Sequence, residues 1–371
     1  MAEELTLVTG FPAFTAKRLV RELATRGDRV ALLAQPKFAD AARDFLAALR
    51  AEGLNPAVDV LVGDVLNLDM GLSGKEMKRL AREVRRVHHI ASIYFMGVTE
   101  GLVERVNVDG ARNVLDLAAD LPNLERLVLW STAFVAGDRT GVILEEDLEA
   151  GQRFRNTYER TKFEAERMFR ARMKDVPISV VRPSVIVGDS RTGEIDRLDG
   201  PYQLIRTFLS FPVDLHLPLP GEGYFPLNLV PADFVVRAAD VIARSPSAVG
   251  KTFHLTDPNP LPARRVFEIV ADVAHRKRPR GAIPSRVYPL LFRVPFLGDF
   301  LLPQRHFIEC FDRLMIFNSM NTLSALADTG VGCPPFPSYA GTLIRFAWAR
   351  FEEADKAAPR REKAPDEDPY F

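Results

Sequence analysis

The amino-acid sequence predicts an α/β fold in which a doubly wound, parallel Rossmann sheet precedes a mainly helical C-terminal substrate cap. Short apolar runs rich in β-branched residues alternate, along the first half of the chain, with segments of helical spacing. Such runs are typical of parallel strands that are covered by helices on both faces. The 371 residues are 47% hydrophobic and 26% charged, so the chain has ample material for a core.

Strands and helices are expected in alternation, joined by right-handed crossovers. The predicted strands are Leu5–Val8, Arg29–Leu33, Val58–Val62, Arg86–Ala91, Leu127–Trp130 and Ile178–Val181. The predicted helices are Ala16–Arg26, Ala39–Glu52, Lys75–Val84, Asn107–Ala119 and Tyr158–Lys174. After Pro183 the alternation weakens, although another strand and helix are expected within Asn228–Ile242 and a strand at Lys251–Leu255.

Charge and cysteine content narrow the classes of protein that remain. The 49 Lys and Arg residues balance the 49 Asp and Glu residues, so no overall basic field favours nucleic-acid binding. Cys310 and Cys333 cannot build a disulfide framework or a thiolate metal cluster. The acidic start of the sequence is unlike a signal peptide, and no apolar run approaches the ~18 residues of a membrane span. We therefore expect a cytoplasmic protein without a metal site.

The turn after the first strand has the spacing of a dinucleotide-binding loop. Gly10, Ala13 and Ala16 occupy the three positions of a G-x-x-G-x-x-G pattern between a strand and a helix. The N-terminus of that helix would receive a pyrophosphate through its free N–H groups. Two of the three glycines are replaced by alanine, so an ordinary strand-to-helix turn explains this loop alone equally well.

Two further motifs follow this loop along the chain. Tyr158 and Lys162 form Y-x-x-x-K, which places both on one helical face, where the ammonium is expected to lower the phenol pKa. Ser131 and Thr132 end a strand 26 residues before the tyrosine, in the crevice where open α/β sheets bind ligands. A chance Tyr–Lys pair and ordinary strand-end capping are the alternatives for each motif taken alone.

Taken together, these motifs resemble those of the extended short-chain dehydrogenase/reductases. The nearest likeness is to the branch of fatty-acyl-CoA reductases and thioester reductase domains, the male-sterility type. The resemblance covers about residues 5–260. It is carried by Asn107–Asn113, Ser131–Gly137, Asn156–Glu166, Arg182–Glu194 and Asn228–Asp233.

The resemblance implies catalytic roles for four residues. Tyr158 is the expected general acid, and Lys162 is its electrostatic partner. Thr132, which is followed by Ala-Phe-Val-Ala-Gly, matches the catalytic hydroxyl better than Ser131 does. Asn107 matches a helix asparagine that supports the proton relay.

The resemblance also implies a set of cofactor contacts. They comprise the phosphate loop, the pair that ends the third strand near adenine, a small residue of the fourth strand, the Tyr–Lys pair and the segment near the nicotinamide. The residues are Gly10, Phe11, Pro12, Ala13, Phe14, Asp64, Val65, Ala91, Tyr158, Lys162, Pro183 and Val185.

The end of the second strand favours NADP(H) over NAD(H). An NAD enzyme usually places an acid there to bind the ribose 2′-hydroxyl. This chain has Leu33-Ala-Gln-Pro-Lys37, so Gln35 replaces the acid and Lys37 could pair with a 2′-phosphate. A solvated loop lysine is an equally good interpretation of Lys37.

The domain prediction follows from these motifs. Residues 1–260 form an NAD(P)-binding Rossmann domain with a cap insertion near 188–227, and residues 261–351 form a helical substrate-binding region. Residues 352–371, rich in Glu, Lys, Arg, Ala and Pro, are expected to be a disordered tail. Pro284–Leu302 is dense in Phe and Leu, which fits a packed cap, a channel for an apolar substrate or a peripheral membrane contact.

The expected function is NADPH-dependent hydride transfer to the carbonyl of a hydrophobic substrate. An acyl thioester, whether or not it is bound to a carrier, or a fatty aldehyde fits the resemblance best. Three alternatives stay open: a ketone reductase or dehydrogenase acting on a lipid or polyketide, a sugar-nucleotide epimerase or dehydratase, and a non-catalytic nucleotide-binding protein. The sequence does not decide the oligomeric state.

Overall fold

A seven-stranded parallel sheet organises the molecule, with strand order β3-β2-β1-β4-β5-β7-β11. The computed structural model describes residues 4–54, 56–94, 98–210, 216, 218–284, 287 and 314–357. The sheet strands are β1 Leu5–Phe11, β2 Arg29–Ala34, β3 Val58–Val62, β4 Val84–His89, β5 Arg126–Trp130, β7 Ile178–Pro183 and β11 Thr252–Leu255. The sequence-based prediction of a doubly wound Rossmann sheet is therefore confirmed.

The connecting helices follow the predicted alternation. They are α1 Phe14–Thr25, α2 Ala39–Ala51, α3 Gly74–Glu83, α4 Glu100–Glu104, α5 Gly110–Ala119, α6 Thr157–Ala171, α7 Pro201–Ser210, α8 Ala232–Arg244, α9 Ala263–Val273, α10 Met320–Leu326 and α11 Phe336–Ala357. Three short parallel pairs lie outside the main sheet: β6 Gly141–Ile143 with β13 Met315–Phe317, β8 Val185–Val187 with β10 Leu229–Pro231, and β9 Leu219–Pro220 with β12 Ala282–Ile283.

The two faces of the sheet pack into separate cores because successive strand residues point to opposite sides. In β2, for example, Leu32 packs with α1, α2 and α8, whereas Leu33 packs with α3, α5 and α6. Both faces are thus covered, which explains why the strands are apolar without alternation. A third core joins α7, α9 and α11, the elements of the cap; Phe267 and Tyr339 are among its buried residues.

The structure differs from the prediction at two places. The helix expected at Asn107–Ala119 is preceded by α4 and by a π-helical turn, Arg105–Asp109, so the helical stretch begins earlier and contains an irregular turn at Asn107. Helix α11 continues to Ala357, six residues into the stretch expected to be a disordered tail. Its apolar face packs on the cap core through Phe351, and this packing outweighs the polar composition of the last turns.

Several predicted features lie outside the described residues. These are Cys310, residues 358–371 and, apart from Pro284 and Val287, the apolar segment Pro284–Leu302. Among the helices of the described ranges, none is both long enough and apolar enough to cross a membrane.

Candidate active site

A cavity of about 410 Å³ lies at the carboxyl ends of the central strands, within the size range of small-molecule sites. It brings together almost all of the residues singled out from the sequence. Those that line it are Gly10, Phe11, Pro12, Ala13, Phe14, Gln35, Asp64, Val65, Ala91, Ser131, Thr132, Tyr158, Lys162, Pro183 and Val185. The sequence motifs therefore converge on one site, although they are spread over some 170 residues.

The loop between β1 and α1 forms a close-fitting cradle. Gly10 has φ +97°, and a Cβ added there would lie 2.6 Å from the backbone nitrogen of Ala91. Within the described structure, no side chain caps α1 at Ala13, and the first turn carries no acidic residue. The helix N-terminus therefore keeps its free N–H groups for an anion, as a nucleotide pyrophosphate requires.

The two alanines that depart from the glycine pattern are accommodated by the packing. Ala16 is fully buried against the core on the α1 side of the sheet, so its methyl group fills space there. Ala13 begins the helix with its backbone N–H bonded to the Gly10 carbonyl at 2.9 Å. Gly10, the one glycine that is retained, has a positive φ and leaves no room for a Cβ atom.

The far end of the cavity has the donors and acceptors that suit an adenosine. Gln35 donates from Nε2 to Oδ2 of Asp64 at 3.1 Å, and Oδ1 of Asp64 accepts from the Leu66 N–H at 2.9 Å. This pairing directs Oε1 of Gln35 the other way, where it is buried without a hydrogen-bond partner among the described residues. A ribose hydroxyl is a donor that would satisfy that oxygen.

Lys37, predicted as a cofactor contact, is not among the described lining residues of the cavity. It is exposed on the 3₁₀ turn that follows β2, and its ammonium lies 4.9 Å from the centre of the Phe38 ring. Such a contact is weak at an exposed site, about 0.5–1 kcal/mol.

The hydroxyl groups of Tyr158 and Thr132 are neighbours in the cavity, and the interaction with Thr132 lowers the pKa of the phenol. Thr132 lies two residues beyond β5 and accepts the Phe134 N–H at 3.3 Å, which fixes its side chain at the start of the next turn. Burial raises the pKa of Tyr158, and the interaction with Thr132 offsets only part of this rise. The expectation of a lowered phenol pKa is thus wrong for this structure, because desolvation is the larger effect.

Lys162 is buried one helical turn after Tyr158. Its ammonium donates to the carbonyl oxygen of Trp130 at 2.5 Å, which ties α6 to the end of β5. Burial lowers the pKa of Lys162 to about 8, against the opposing influence of the nearby Glu166 carboxylate. Ser131, the less favoured hydroxyl, donates to Glu166 at 2.6 Å.

Asn107 is fully engaged inside the protein and is not among the described lining residues of the cavity. Its Oδ1 accepts the Ile93 N–H at 2.7 Å, while Nδ2 donates to the Ile93 carbonyl at 2.9 Å and to Thr161 Oγ1 at 3.0 Å. The π-helical turn places it there, and such turns are frequent at functional sites. Asn107 thereby holds the loop after β4 against α6.

The loop that follows β8 covers one side of the cavity, and Ile195, Asp196 and Arg197 of this loop line it. Lys17 and Arg18 of α1 pair with the loop, Lys17 with Asp196 and Arg18 with both Asp189 and Glu194. The polar, glycine-containing sequence of residues 188–202 is compatible with a solvated cluster of charges and also with a loop that closes over the substrate. Ile195 was not singled out from the sequence.

Tyr94 and Phe134 were also missed, although both line the cavity. Tyr94 follows β4 and influences Tyr158 electrostatically, while Phe134 packs edge-on against Phe317 of β13. Phe134 stands inside the motif Ser131–Gly137, so the motif itself could have indicated it.

Comparison with known proteins places the chain in a family. The family model described as male sterility protein, an NAD-binding family, matches residues 8–239. Curated relatives include glycine betaine reductase ATRR of Emericella nidulans, 24% identical over 60% of this chain and 17% of that protein. Fatty acyl-CoA reductase wat of Drosophila melanogaster is 26% identical over 40% of this chain and 34% of that protein. The match thus covers about a third of one of these relatives and about a sixth of the other.

A solved structure shares the fold over nearly the whole chain. The terminal R domain from the myxalamid PKS-NRPS biosynthetic pathway superposes with a TM-score of 0.78 at 24% identity, covering 95% of this chain and 92% of that one. The match includes the cap as well as the sheet. Since the family model spans more than half of the chain, this protein belongs to the male sterility family of NAD-binding, extended short-chain dehydrogenase/reductases.

Proposed function

We propose that this chain uses NADPH to reduce the carbonyl group of a hydrophobic substrate, either an acyl thioester or a fatty aldehyde. The observation that carries the proposal is that the hydroxyl groups of Thr132 and Tyr158, the buried ammonium of Lys162 and the Gly10 loop all line one cavity. A hydroxyl pair, a cation and a pyrophosphate site in one crevice are what carbonyl reduction requires.

Thr132, Tyr158 and Lys162 would each have a separate role at the substrate oxygen. Thr132 and Tyr158 donate hydrogen bonds to the carbonyl oxygen, and Tyr158 gives its proton as negative charge develops there. Because burial raises the pKa of Tyr158, the phenol stays protonated at neutral pH, which suits the reducing direction. Lys162 supplies positive charge beside the phenol and its developing phenolate. Bound NADPH supplies the hydride to the carbonyl carbon.

The preference for NADPH rests on the end of β2. The end of β2 carries Gln35 where an NAD enzyme usually has an acid, and its Nε2 is already bonded to Asp64. Lys37 stands just beyond Gln35 on the 3₁₀ turn and offers a cation for a 2′-phosphate. A 2′-phosphate would gain from this cation, whereas the 2′-hydroxyl of NADH would not.

The apolar lining of the cavity supports a hydrophobic substrate. Phe134, Val106, Ile186 and Ile195 contribute to its wall. Burial of each methylene of an alkyl chain contributes about 0.8 kcal/mol to the binding free energy, so such a wall favours acyl groups over sugars. Because the chain shares its fold with the R domain of a PKS-NRPS pathway, we also propose that the acyl group is delivered as a thioester bound to a carrier.

The test is NADPH oxidation by the purified chain. Octanal and octanoyl-CoA are the expected substrates, with 2-octanone and a UDP-sugar as comparison compounds. Turnover of either of the first two, abolished in Tyr158→Phe, supports the proposal. Turnover of 2-octanone alone indicates a ketone reductase, and conversion of the UDP-sugar indicates an epimerase. Cofactor binding without turnover of any of the four rejects the proposed reduction.

A further inference from the structure

Glu166 is a fully buried carboxylate on the helix that carries Tyr158 and Lys162. It lies four residues after Lys162 and so shares its face of the helix. Its Oε2 accepts the hydroxyl of Ser131 at 2.6 Å, and its Oε1 accepts from Arg182 at 2.7 Å and from Arg170 at 2.9 Å. The reaction proposed above does not use this group.

Ser131, one partner of Glu166, itself lines the cavity, and Arg182, another, lies next to the lining residue Pro183. Ser131 precedes Thr132 at the end of β5, and Arg182 precedes Pro183 at the end of β7. One carboxylate therefore joins the ends of two sheet strands to α6. We propose that Glu166 is a positioning residue, which sets the distance of Thr132 from Tyr158 and whose negative charge supports the ammonium of Lys162.

The network around Glu166 is held by many charge-assisted hydrogen bonds, in which one carboxylate is shared by two arginines. Arg182 is buried and donates to both oxygens of Glu166, and its Nη2 donates to the Asp147 carbonyl at 2.7 Å. Arg170 donates to the carbonyl groups of Glu145 and Glu146. Bidentate and charge-assisted bonds of this kind fix geometry as well as supplying energy. Small displacements of reacting groups cost up to about a hundredfold in rate, so this rigidity has catalytic value.

The electrostatic part of the proposal concerns the groups that face Lys162. Tyr158 and Glu166 face it from its own helix, and His89 faces it from β4. His89 is neutral because burial lowers its pKa to about 3. Arg182 of β7 is paired with Glu166. Glu166 is thus the group that favours the charged form of Lys162, against burial.

Glu166 itself stays ionised at neutral pH. Burial by itself would raise the pKa of this carboxyl, but the two guanidinium groups and the Ser131 hydroxyl hold it below its usual range. Removing its charge in Glu166→Gln leaves burial acting on Lys162 without opposition, so the pKa of Lys162 falls. The alkaline limb of kcat/KM should then move to lower pH by about one unit, because an opposite charge nearby is worth ~1–3 units.

Asp240 offers a matched control. It is another buried carboxylate held by two arginines, at 2.6 Å from Arg26 and 3.1 Å from Arg244, on α8 and outside the described lining of the cavity. Asp240→Asn should lower the melting temperature as Glu166→Gln does, while the pH profile of kcat/KM stays as in the wild type. An equal shift of the pH profile in both variants would assign Glu166 a merely structural role and overturn the proposal.

Ser131→Ala tests the positioning part separately, and it decides the matter if Glu166→Gln does not fold. It removes the hydroxyl that links β5 to Glu166 and keeps all buried charges. We expect kcat to fall tenfold to a hundredfold with little change in the NADPH dissociation constant measured by calorimetry. A wild-type kcat in Ser131→Ala overturns this part of the proposal.

The inference rests on the proposed reductase chemistry, and the two can fail separately. If Tyr158→Phe keeps wild-type turnover, the proposed function fails. If Tyr158→Phe is inactive but Glu166→Gln keeps the wild-type pH profile, the role of Glu166 fails and the proposed function stands.

Discussion

The ammonium of Lys162 donates a hydrogen bond to the main-chain carbonyl of Trp130, at 2.5 Å. This contact joins the middle of α6 to the last residue of β5, immediately before the hydroxyl pair Ser131 and Thr132. A main-chain acceptor cannot be lost by substitution, so the lysine is anchored whatever side chain stands at position 130. The anchored ammonium is also fully desolvated, and this has a consequence for the pH dependence of the enzyme.

Reductase activity should decline above about pH 8. Burial lowers the pKa of Lys162 to about 8, so the side chain is protonated below that pH and loses its charge above it. The phenol of Tyr158 does not titrate in this range, because burial raises its pKa. Measuring kcat/KM from pH 6 to pH 10 checks this. A profile flat to pH 10 would mean that the charge on Lys162 is not needed.

Tyr158→Phe should abolish turnover and leave NADPH affinity nearly unchanged. The substitution removes the proton donor and the interaction with Thr132 but retains the ring that packs at the start of α6. Loss of a general acid costs typically 10²–10⁴-fold in rate. Lys162→Ala should damage both turnover and cofactor binding. Steady-state kinetics and calorimetry separate the two effects, and wild-type turnover in Tyr158→Phe would refute the mechanism.

Gly10→Ala should sharply weaken cofactor binding. The added methyl group would lie 2.6 Å from the Ala91 nitrogen, so the loop would have to move from the strand end that it touches. Gly27→Ala is the control, since Gly27 also has a positive φ, +78°, but a Cβ there meets nothing within 4 Å. Both variants share the backbone strain of roughly 1 kcal/mol. Equal NADPH dissociation constants in the two variants would exclude the Gly10 loop as the phosphate site.

The sequence predicted the sheet well because buried parallel strands leave a direct trace. Val58–Val62 is predicted with the bounds that the structure shows, and Arg29–Leu33 lacks one residue of the observed strand. The motif residues could also be predicted, because they lie at the ends of the predicted strands or at helical spacing within a predicted helix. The residues between motifs were harder to predict: Tyr94 and Ile195 reach the cavity through loops, and loop paths depend on tertiary contacts that have no periodic pattern.

The pKa of Tyr158 could not be predicted for a different reason. From the sequence, Lys162 is a neighbouring cation, and a cation lowers a phenol pKa. The structure adds the depth of burial, which depends on tertiary packing and which raises the phenol pKa. The network around Glu166 was hidden for a similar reason, because Ser131, Glu166 and Arg182 are adjacent in space but separated along the chain.

Lys37→Ala should reduce the affinity for NADPH about tenfold and leave the affinity for NADH unchanged. A charge-assisted bond to a phosphate is worth about 1.5–3 kcal/mol, and exposure of Lys37 places the effect at the lower end. NADH lacks the 2′-phosphate and is therefore the internal control. Calorimetry of both cofactors with both proteins gives the four dissociation constants. Equal or tighter NADH binding by the wild type would reverse the cofactor assignment.

Substrate chain length provides the last prediction. The wall of the cavity contains Phe134, Val106 and Ile195, and each buried methylene contributes up to about 0.8 kcal/mol. From butanal to octanal, kcat/KM with NADPH should therefore rise, by up to about fourfold per methylene, until the chain reaches the end of the apolar wall. Phe134→Ser should flatten this dependence, because it removes apolar surface without touching Tyr158 or Lys162. The same series with acyl-CoA thioesters separates recognition of the alkyl chain from that of the thioester. A dependence that is flat in the wild type for both series would remove the apolar wall as a determinant of substrate choice.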